Sequence, residues 1–264
     1  MRSILKSLST LLCFFTSIPL PKKLCSSTEF RSLYLVPLVG FVKGFVVAVP
    51  IAILKNYLSL DVAIVSSIAI LLHFSIQGFL HVDGFIDFSE ALIASRFGVD
   101  PYKVVKDKYR GSYAIATFST YIIILYTSIY TLTKILNSIP LLQLLVLSEV
   151  WSSIVFLVLP YIAPAPPNGL GKKFKDSIKF VDIVMGIAIA VILTCILTLC
   201  TGNPMKGFYI VFYSLLAVTI STFITYTLSM RTLGFVNGDV LGFAFEISYL
   251  LTILTYVATV STWI

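Results

Sequence analysis

Charged residues are scarce in this chain. Asp, Glu, Lys and Arg make up 12% of its 264 residues, about half the share of an average soluble domain. Hydrophobic residues make up 58%, and the mean hydropathy is +0.99. So few charges cannot cover a water-soluble globule of this size, which excludes a soluble enzyme, a disordered chain and a nucleic-acid-binding domain. Strict alternation is also missing. The apolar runs are continuous and about 20 residues long, unlike the ~10-residue alternating segments of a membrane β-barrel. Cysteine is limited to Cys13, Cys25, Cys195 and Cys200, with no C-x-x-C pair. Neither a disulfide framework nor a zinc site is expected, and Cys195 and Cys200 read as small buried hydrophobes. No small-x-small cleavage site follows residues 1–20; Pro19, Pro21, Lys22 and Lys23 do. That segment therefore reads as a retained interfacial helix ended by prolines, not as a signal peptide. No internal repeat is visible.

What is present is a series of apolar spans near 33–54, 60–80, 112–133, 140–162, 181–201, 207–229 and 240–262. Each is long enough to cross about 30 Å of hydrocarbon as a helix. The expectation is an all-α polytopic membrane protein with about seven transmembrane helices and an amino-terminal interfacial helix, forming a single integral membrane domain over 1–264. Too few residues lie outside the spans for a second domain. The loop around 163–180 reads as a structured surface loop, Pro/Gly-rich and then basic.

The bases set the expected orientation. The amino-terminal segment carries Arg2, Lys6, Lys22, Lys23 and Arg31, and the loop after the second span carries Arg96, Lys103, Lys106, Lys108 and Arg110. Lys172, Lys173, Lys175 and Lys179 follow the fourth span, and Arg231 follows the sixth. The other side holds only Lys55, Lys134 and Lys206. The positive-inside rule places the amino terminus and the loops near 81–111, 163–180 and 230–240 in the cytoplasm, in a multi-pass protein of the cell membrane. The net charge of +7 then reports topology and contact with the lipid bilayer, not nucleic acid.

Acids are scarce, yet three of the twelve fall within His81-Val82-Asp83-Gly84-Phe85-Ile86-Asp87-Phe88-Ser89-Glu90, where the second span ends. On a helix, Asp87 lies about 40° and Glu90 about 20° from Asp83, on opposite sides of it. Carboxylates so close repel unless a cation neutralises them, and a hard divalent ion, Mg²⁺ above all, suits oxygen ligands. The bland alternative is a solvated polar face at a helix end. His81 lies about 200° from Asp83 and does not share that face. Asp107 stands among Lys106, Lys108 and Arg110, as an ion-pair partner or as a further ligand beside phosphate-binding bases. Gly234 to Gly242 form a turn bearing Asn237 and Asp239, and Glu246 follows on the same helical face as Asp239. Glu149, near mid-span, needs a partner, and Lys43 is one candidate.

These residues carry a resemblance. His81-Val82-Asp83-Gly84-Phe85-Ile86-Asp87 resembles the HLDG-x-x-D signature of the cobalamin synthase family, the adenosylcobinamide-GDP ribazoletransferases. Other pieces resemble the family in the same order. They are Phe15-Thr16-Ser17-Ile18-Pro19-Leu20-Pro21, Val36-Pro37-Leu38-Val39-Gly40, Lys106-Asp107 with Gly111, Gly169-Leu170-Gly171 with Phe174, and Gly238-Asp239-Val240-Leu241-Gly242 with Glu246. The chain departs from the pattern at Glu90-Ala91, where the family commonly has Asp-Gly. It also has Glu149 and the run Ala163-Pro164-Ala165-Pro166-Pro167 near positions where the family often has Arg.

The resemblance implies a Mg²⁺-dependent enzyme joining adenosylcobinamide-GDP to α-ribazole, or its 5′-phosphate, with release of GMP. Asp83, Asp87, Glu90 and Asp107 would be the metal ligands. Asp83, Asp87, Asp107 and Asp239 would be the catalytic acids, with Asp107 and Asp239 alternative choices for a second metal or for the hydroxyl proton. Substrate contacts would come from His81, Lys106, Lys108, Arg110 and Asn237. Lys172 and Lys173 would bind phosphate or anchor the loop on the membrane surface. Assembly into a homo-oligomer is left open. The competing readings are another intramembrane phospho- or prenyl-transferase, and a cation transporter with Glu149, Glu246 and Asp83 along its path.

Overall fold

A computed structural model of the chain describes residues 2–25, 30–58, 60–106, 111–168, 170–200 and 204–260. Among these there is no strand. The helices are α1 (Arg2–Phe15), α2 (Lys22–Cys25), α3 (Val36–Tyr57, preceded by the 3₁₀ turn Leu33–Leu35), α4 (Val62–Ile76), α5 (Leu80–Ser95), α6 (Pro101–Lys106), α7 (Ser112–Ile135), α8 (Ser138–Ser152), α9 (Val155–Ile162), α10 (Leu170–Ser177), α11 (Phe180–Leu199), α12 (Pro204–Thr232) and α13 (Gly238–Thr259). Six helices or helix pairs are long and apolar enough to cross a membrane, and α4 with α5 makes a seventh if that bent pair counts as one span. The all-α polytopic expectation holds.

The second span departs from the expected straight helix. α4 has 15 residues, about 22 Å, and α5 leaves it at 89°. The break is local chemistry: Gly78 and Phe79 both adopt φ of +59°, the left-handed conformation that ends helices. The N–H of Phe79 returns to the Phe74 carbonyl at 3.0 Å. Ser17 adds hydrogen bonds to the last two carbonyls of α4. Its N–H donates to Ile76 O at 2.7 Å, and its hydroxyl donates to Ser75 O at 2.6 Å. The proline-rich stretch that ends α1 thus becomes the cap of α4.

The α8–α9 span is central, with 89% of its apolar stretch buried, against 22% for α11. α3 lies directly on it. A Cβ on Gly44 would stand 2.7 Å from the Val146 Cα, and one on Gly40 would stand 3.0 Å from the Val150 Cα. Two glycines four apart let the backbones touch, the small-residue packing typical of membrane helices. Polar pairs add further ties. The Trp151 indole N–H donates to Thr194 Oγ1 at 3.0 Å, linking α8 to α11, and Ser214 and Tyr256 hydroxyls meet at 2.7 Å between α12 and α13. Lys55 donates to the carbonyls of Thr133 and Leu136 where α7 ends.

Two cysteine expectations are corrected. Cys13 and Cys25 form a disulfide that fastens α2 to α1; a spacing of twelve residues carries no motif, so only the fold brings them together. Cys195 and Cys200 are exposed, because α11 lies at the edge of the bundle and turns much of its apolar surface outward.

Candidate active site

The segment bearing the acids, expected within a loop near 81–111, folds as the helix α5, and its carboxylates meet different surroundings. Asp83 is exposed in the first turn of α5. Asp87, one turn on, is 6% exposed. Glu90 is half-buried and turned toward the start of α7, where it accepts the Ala114 N–H at 2.6 Å. A Cβ on Gly111 would collide with Glu90 Oε1, so the glycine makes room for the carboxylate. Four amide N–H groups at a helix start lack partners within the helix, and an acid is favoured there.

Asp239 reaches this place through backbone contact. Asn237 caps α13: its Oδ1 accepts the Val240 N–H at 3.0 Å, and its Nδ2 donates to Asp239 Oδ2 at 2.8 Å. α5 and α13 cross at two glycines. A Cβ on Gly84 would lie 2.9 Å from the Asp239 Cα, and one on Gly242 would lie 2.9 Å from the His81 carbonyl oxygen. Asp83 and Asp87 flank Gly84 in sequence, so the crossing sets Asp239 against the segment that carries both.

His81 is 3% exposed. Its ring packs beside the stacked rings of Phe156 and Phe245, at centroid distances of 5.0 and 4.8 Å, with Phe15 at 6.2 Å. It does not join the carboxylates, as its helical angle predicts. Lys106 is exposed, with its ammonium 4.1 Å from the centre of the Tyr102 ring. Asp107, Lys108 and Arg110 lie outside the described residues. Lys172 and Lys173 are exposed on α10. α10 docks through Phe174, stacked on Phe14 and edge-on to Phe15 and Phe30. At its start, a Cβ on Gly171 would lie 3.8 Å from the Asn237 Cα. The two bases therefore belong to a helix that begins beside the α13 cap. Lys175 instead donates to Pro160 O at 3.0 Å and to Ala163 O, closing the end of α9.

Among the described residues, no three His, Cys, Asp or Glu side chains stand together as a metal-binding group. Mg²⁺ seldom needs such a cage. It keeps water, takes one or two carboxylates, and draws further ligands from substrate phosphate. The oxygen donors of Asp83 and Asp87, one turn apart on a single helix, fit that requirement.

Beneath this end lies a second set of charges that the sequence showed only in part. Lys43 Nζ stands 3.0 Å from Glu149 Oε2, as anticipated, because the close approach of α3 to α8 carries it there. His73 was missed. Its Nδ1 is 2.5 Å from Glu149 Oε1 and its Nε2 is 3.3 Å from Glu246 Oε2. Tyr121 donates its hydroxyl hydrogen to Glu246, and Gln77 Nε2 stands 3.2 Å from His73 Nε2. All of these residues are buried. Two carboxylates, one ammonium and one imidazole with both nitrogens facing carboxylates form a neutral group if both nitrogens carry hydrogen. A clue was available: His73 is one of only two histidines and sits inside an apolar helix, where a polar side chain requires a partner.

A family model described as cobalamin-5-phosphate synthase matches residues 7–257. A Clostridium perfringens (strain SM101 / Type A) protein named adenosylcobinamide-GDP ribazoletransferase is 26% identical over 247 residues, covering 92% of this chain and 94% of its own length. A Clostridium botulinum (strain Okra / Type B1) protein of the same name is 29% identical over 259 residues, covering 96% and 99%. A third protein of that name, from Archaeoglobus fulgidus, is 27% identical over 246 residues, covering 91% and 92%. No solved structure matches.

Proposed function

The chain belongs to the cobalamin-5-phosphate synthase family, and from that premise we propose that it joins α-ribazole, or its 5′-phosphate, to adenosylcobinamide-GDP, with α5 and α13 carrying the reaction centre. The observation that carries this reading is the contact of Gly84 with the Asp239 backbone. It gathers three of the scarce acids at one end of a membrane bundle, beside the start of a basic helix. The reaction is a phosphoryl transfer. A ribose hydroxyl attacks the phosphorus that bears the cobinamide arm, a new P–O bond forms, the P–O bond to GMP breaks, and the hydroxyl proton passes to a carboxylate.

Such a reaction asks the protein mainly for positioning and charge stabilisation. Asp83 and Asp87 are the residues we assign to Mg²⁺, which when bound would neutralise charge on the diphosphate. Asp107 joins them on sequence position alone. Asp239, oriented by Asn237, is the acceptor for the hydroxyl proton. Lys106, Lys108, Arg110, Lys172 and Lys173 would attract the phosphates. Glu90 is already engaged by the Ala114 amide, so we assign it to holding α7 on α5. His81 serves the apolar packing beneath α5. By the positive-inside rule, the site faces the cytoplasm from the cell membrane.

The test is direct. Purified protein supplied with Mg²⁺, adenosylcobinamide-GDP and α-ribazole should release GMP and form cobalamin in equal amounts. Chelation should stop both. Absence of GMP from folded protein would overturn the assignment. GMP release that persists in chelator would overturn the metal alone.

A further inference from the structure

The amino-terminal segment builds a groove that the proposed reaction does not use. Residues 16–21 turn the chain back on α1, and the Cys13–Cys25 disulfide fastens α2 there. Between them lies a cavity of about 520 Å³, within the range of small-ligand sites. Leu5 and Leu12 line it from α1, Leu20 and Leu24 line it from the returning segment, and Lys6 and Lys23 also border it. Both lysines are exposed, as are Leu5 and Leu24.

We infer that this groove holds one chain of an anionic phospholipid, with the headgroup phosphate on Lys6 and Lys23. The lining excludes the alternatives. A peptide strand would bring backbone N–H and C=O groups into a wall that cannot satisfy them. The other polar side chain along the groove is Ser9, whose hydroxyl already donates to the Lys6 carbonyl at 2.9 Å. Free phosphate would gain nothing from leucines. An amphiphile with a long apolar part and one negative charge matches both kinds of wall. α1 itself is amphipathic, with Ile4 and Leu5 exposed beside Lys6, as expected of a helix lying in a membrane interface.

The position gives the site a consequence. Cys13 is followed by Phe14 and Phe15, which pack on Phe174 of α10, and Ser17 caps α4 at the bend into the acidic helix. A lipid seated between α1 and α2 would steady the segment on which both depend.

Delipidated protein in neutral detergent, titrated with phosphatidylglycerol or with phosphatidylcholine of the same chains, tests this by native mass spectrometry. One phosphatidylglycerol should bind per chain with about 30-fold preference, the ratio supplied by two bases near an anionic headgroup. The Lys6→Gln/Lys23→Gln variant should lose the preference and keep its phosphatidylcholine binding. If that variant does not fold, Lys6→Gln alone should reduce the preference to about fivefold. Leu5→Gln should weaken both lipids. Equal binding of the two lipids by the native protein, or a preference that survives loss of the lysines, overturns the inference. Displacement of the lipid by millimolar inorganic phosphate also overturns it, since the site would then be a plain oxyanion site.

Discussion

Asp83 and Asp87 sit one turn apart but do not share an environment, and that difference separates their roles from that of Glu90. Asp83 is open to solvent and Asp87 is nearly closed off, whereas Glu90 is bound to the start of α7. Asp83→Asn and Asp87→Asn preserve shape and remove charge. Each should lower turnover by about 100-fold or more, the size of effect seen when one charge-stabilising group is removed from an active site, with little change in melting temperature. Glu90→Gln retains an oxygen to accept the Ala114 N–H and should keep most activity, while Glu90→Ala should lose stability. Assaying GMP release alongside thermal melts separates these cases. A Glu90→Gln protein as inactive as Asp83→Asn would return Glu90 to the metal ligands.

The buried charges make a different kind of prediction at the same scale. Lys43→Met leaves two carboxylates facing one imidazole, and Glu149→Gln leaves an unbalanced ammonium. Removing one partner of a buried pair typically costs about 3–5 kcal/mol. Combining the two substitutions restores charge balance, because His73 and Glu246 remain paired. The double variant should therefore be more stable than either single variant when melts are compared in one detergent. Additive losses would show that the pair acts through packing alone.

Among the elements, the crossing of α5 and α13 governs the site. Its geometry depends on Gly84 and Gly242, where the backbones leave no room for a Cβ. Gly84→Ala should force the helices apart, costing about 1–3 kcal/mol as overpacking does, and should reduce turnover by displacing Asp239. Gly238 offers the control: it starts α13, and an added Cβ would meet nothing within 4 Å. Gly238→Ala should leave both melting temperature and activity near the native values. Equal damage from the two substitutions would mean that the close crossing is unimportant. The bend between α4 and α5 matters in the same way, since it turns the acidic helix out of line with the span before it. Straight periodicity from 60 to 80 gives no hint of an 89° turn, because that turn rests on the two left-handed residues and on Ser17, nearly sixty positions earlier.

For the whole molecule, the starts of α5, α7 and α13, together with α10, gather at one end of the bundle. The bases follow the same division: Lys55 lies at the far end of α3 and Lys134 at the far end of α7. In a background lacking the native cysteines, single cysteines at Lys103 and Lys172 should be labelled from the same side of a sealed vesicle. A cysteine at Lys206 should be labelled from the other side. Opposite accessibility of positions 103 and 172 would break both the topology and the common face of the site.

The sequence by itself determined the membrane class and the helical spans other than the bent second one, and it showed which acids would share a face once their segment is helical. Those properties follow from hydropathy and from the 3.6-residue period, which act between near neighbours. It also pointed to Lys43 for Glu149, because an ionised group in a membrane requires a partner and few were available. Tertiary structure alone decided which helices touch. Asp239 meets α5 because Gly84 and Gly242 permit backbone contact, His73 stands between two glutamates from two other helices, and Cys13 reaches Cys25 because the chain doubles back after α1. Each of these depends on shape complementarity between elements distant in the chain. A glycine or a histidine carries no local signal of which distant surface it will meet, since that choice is made by the packing of the whole bundle.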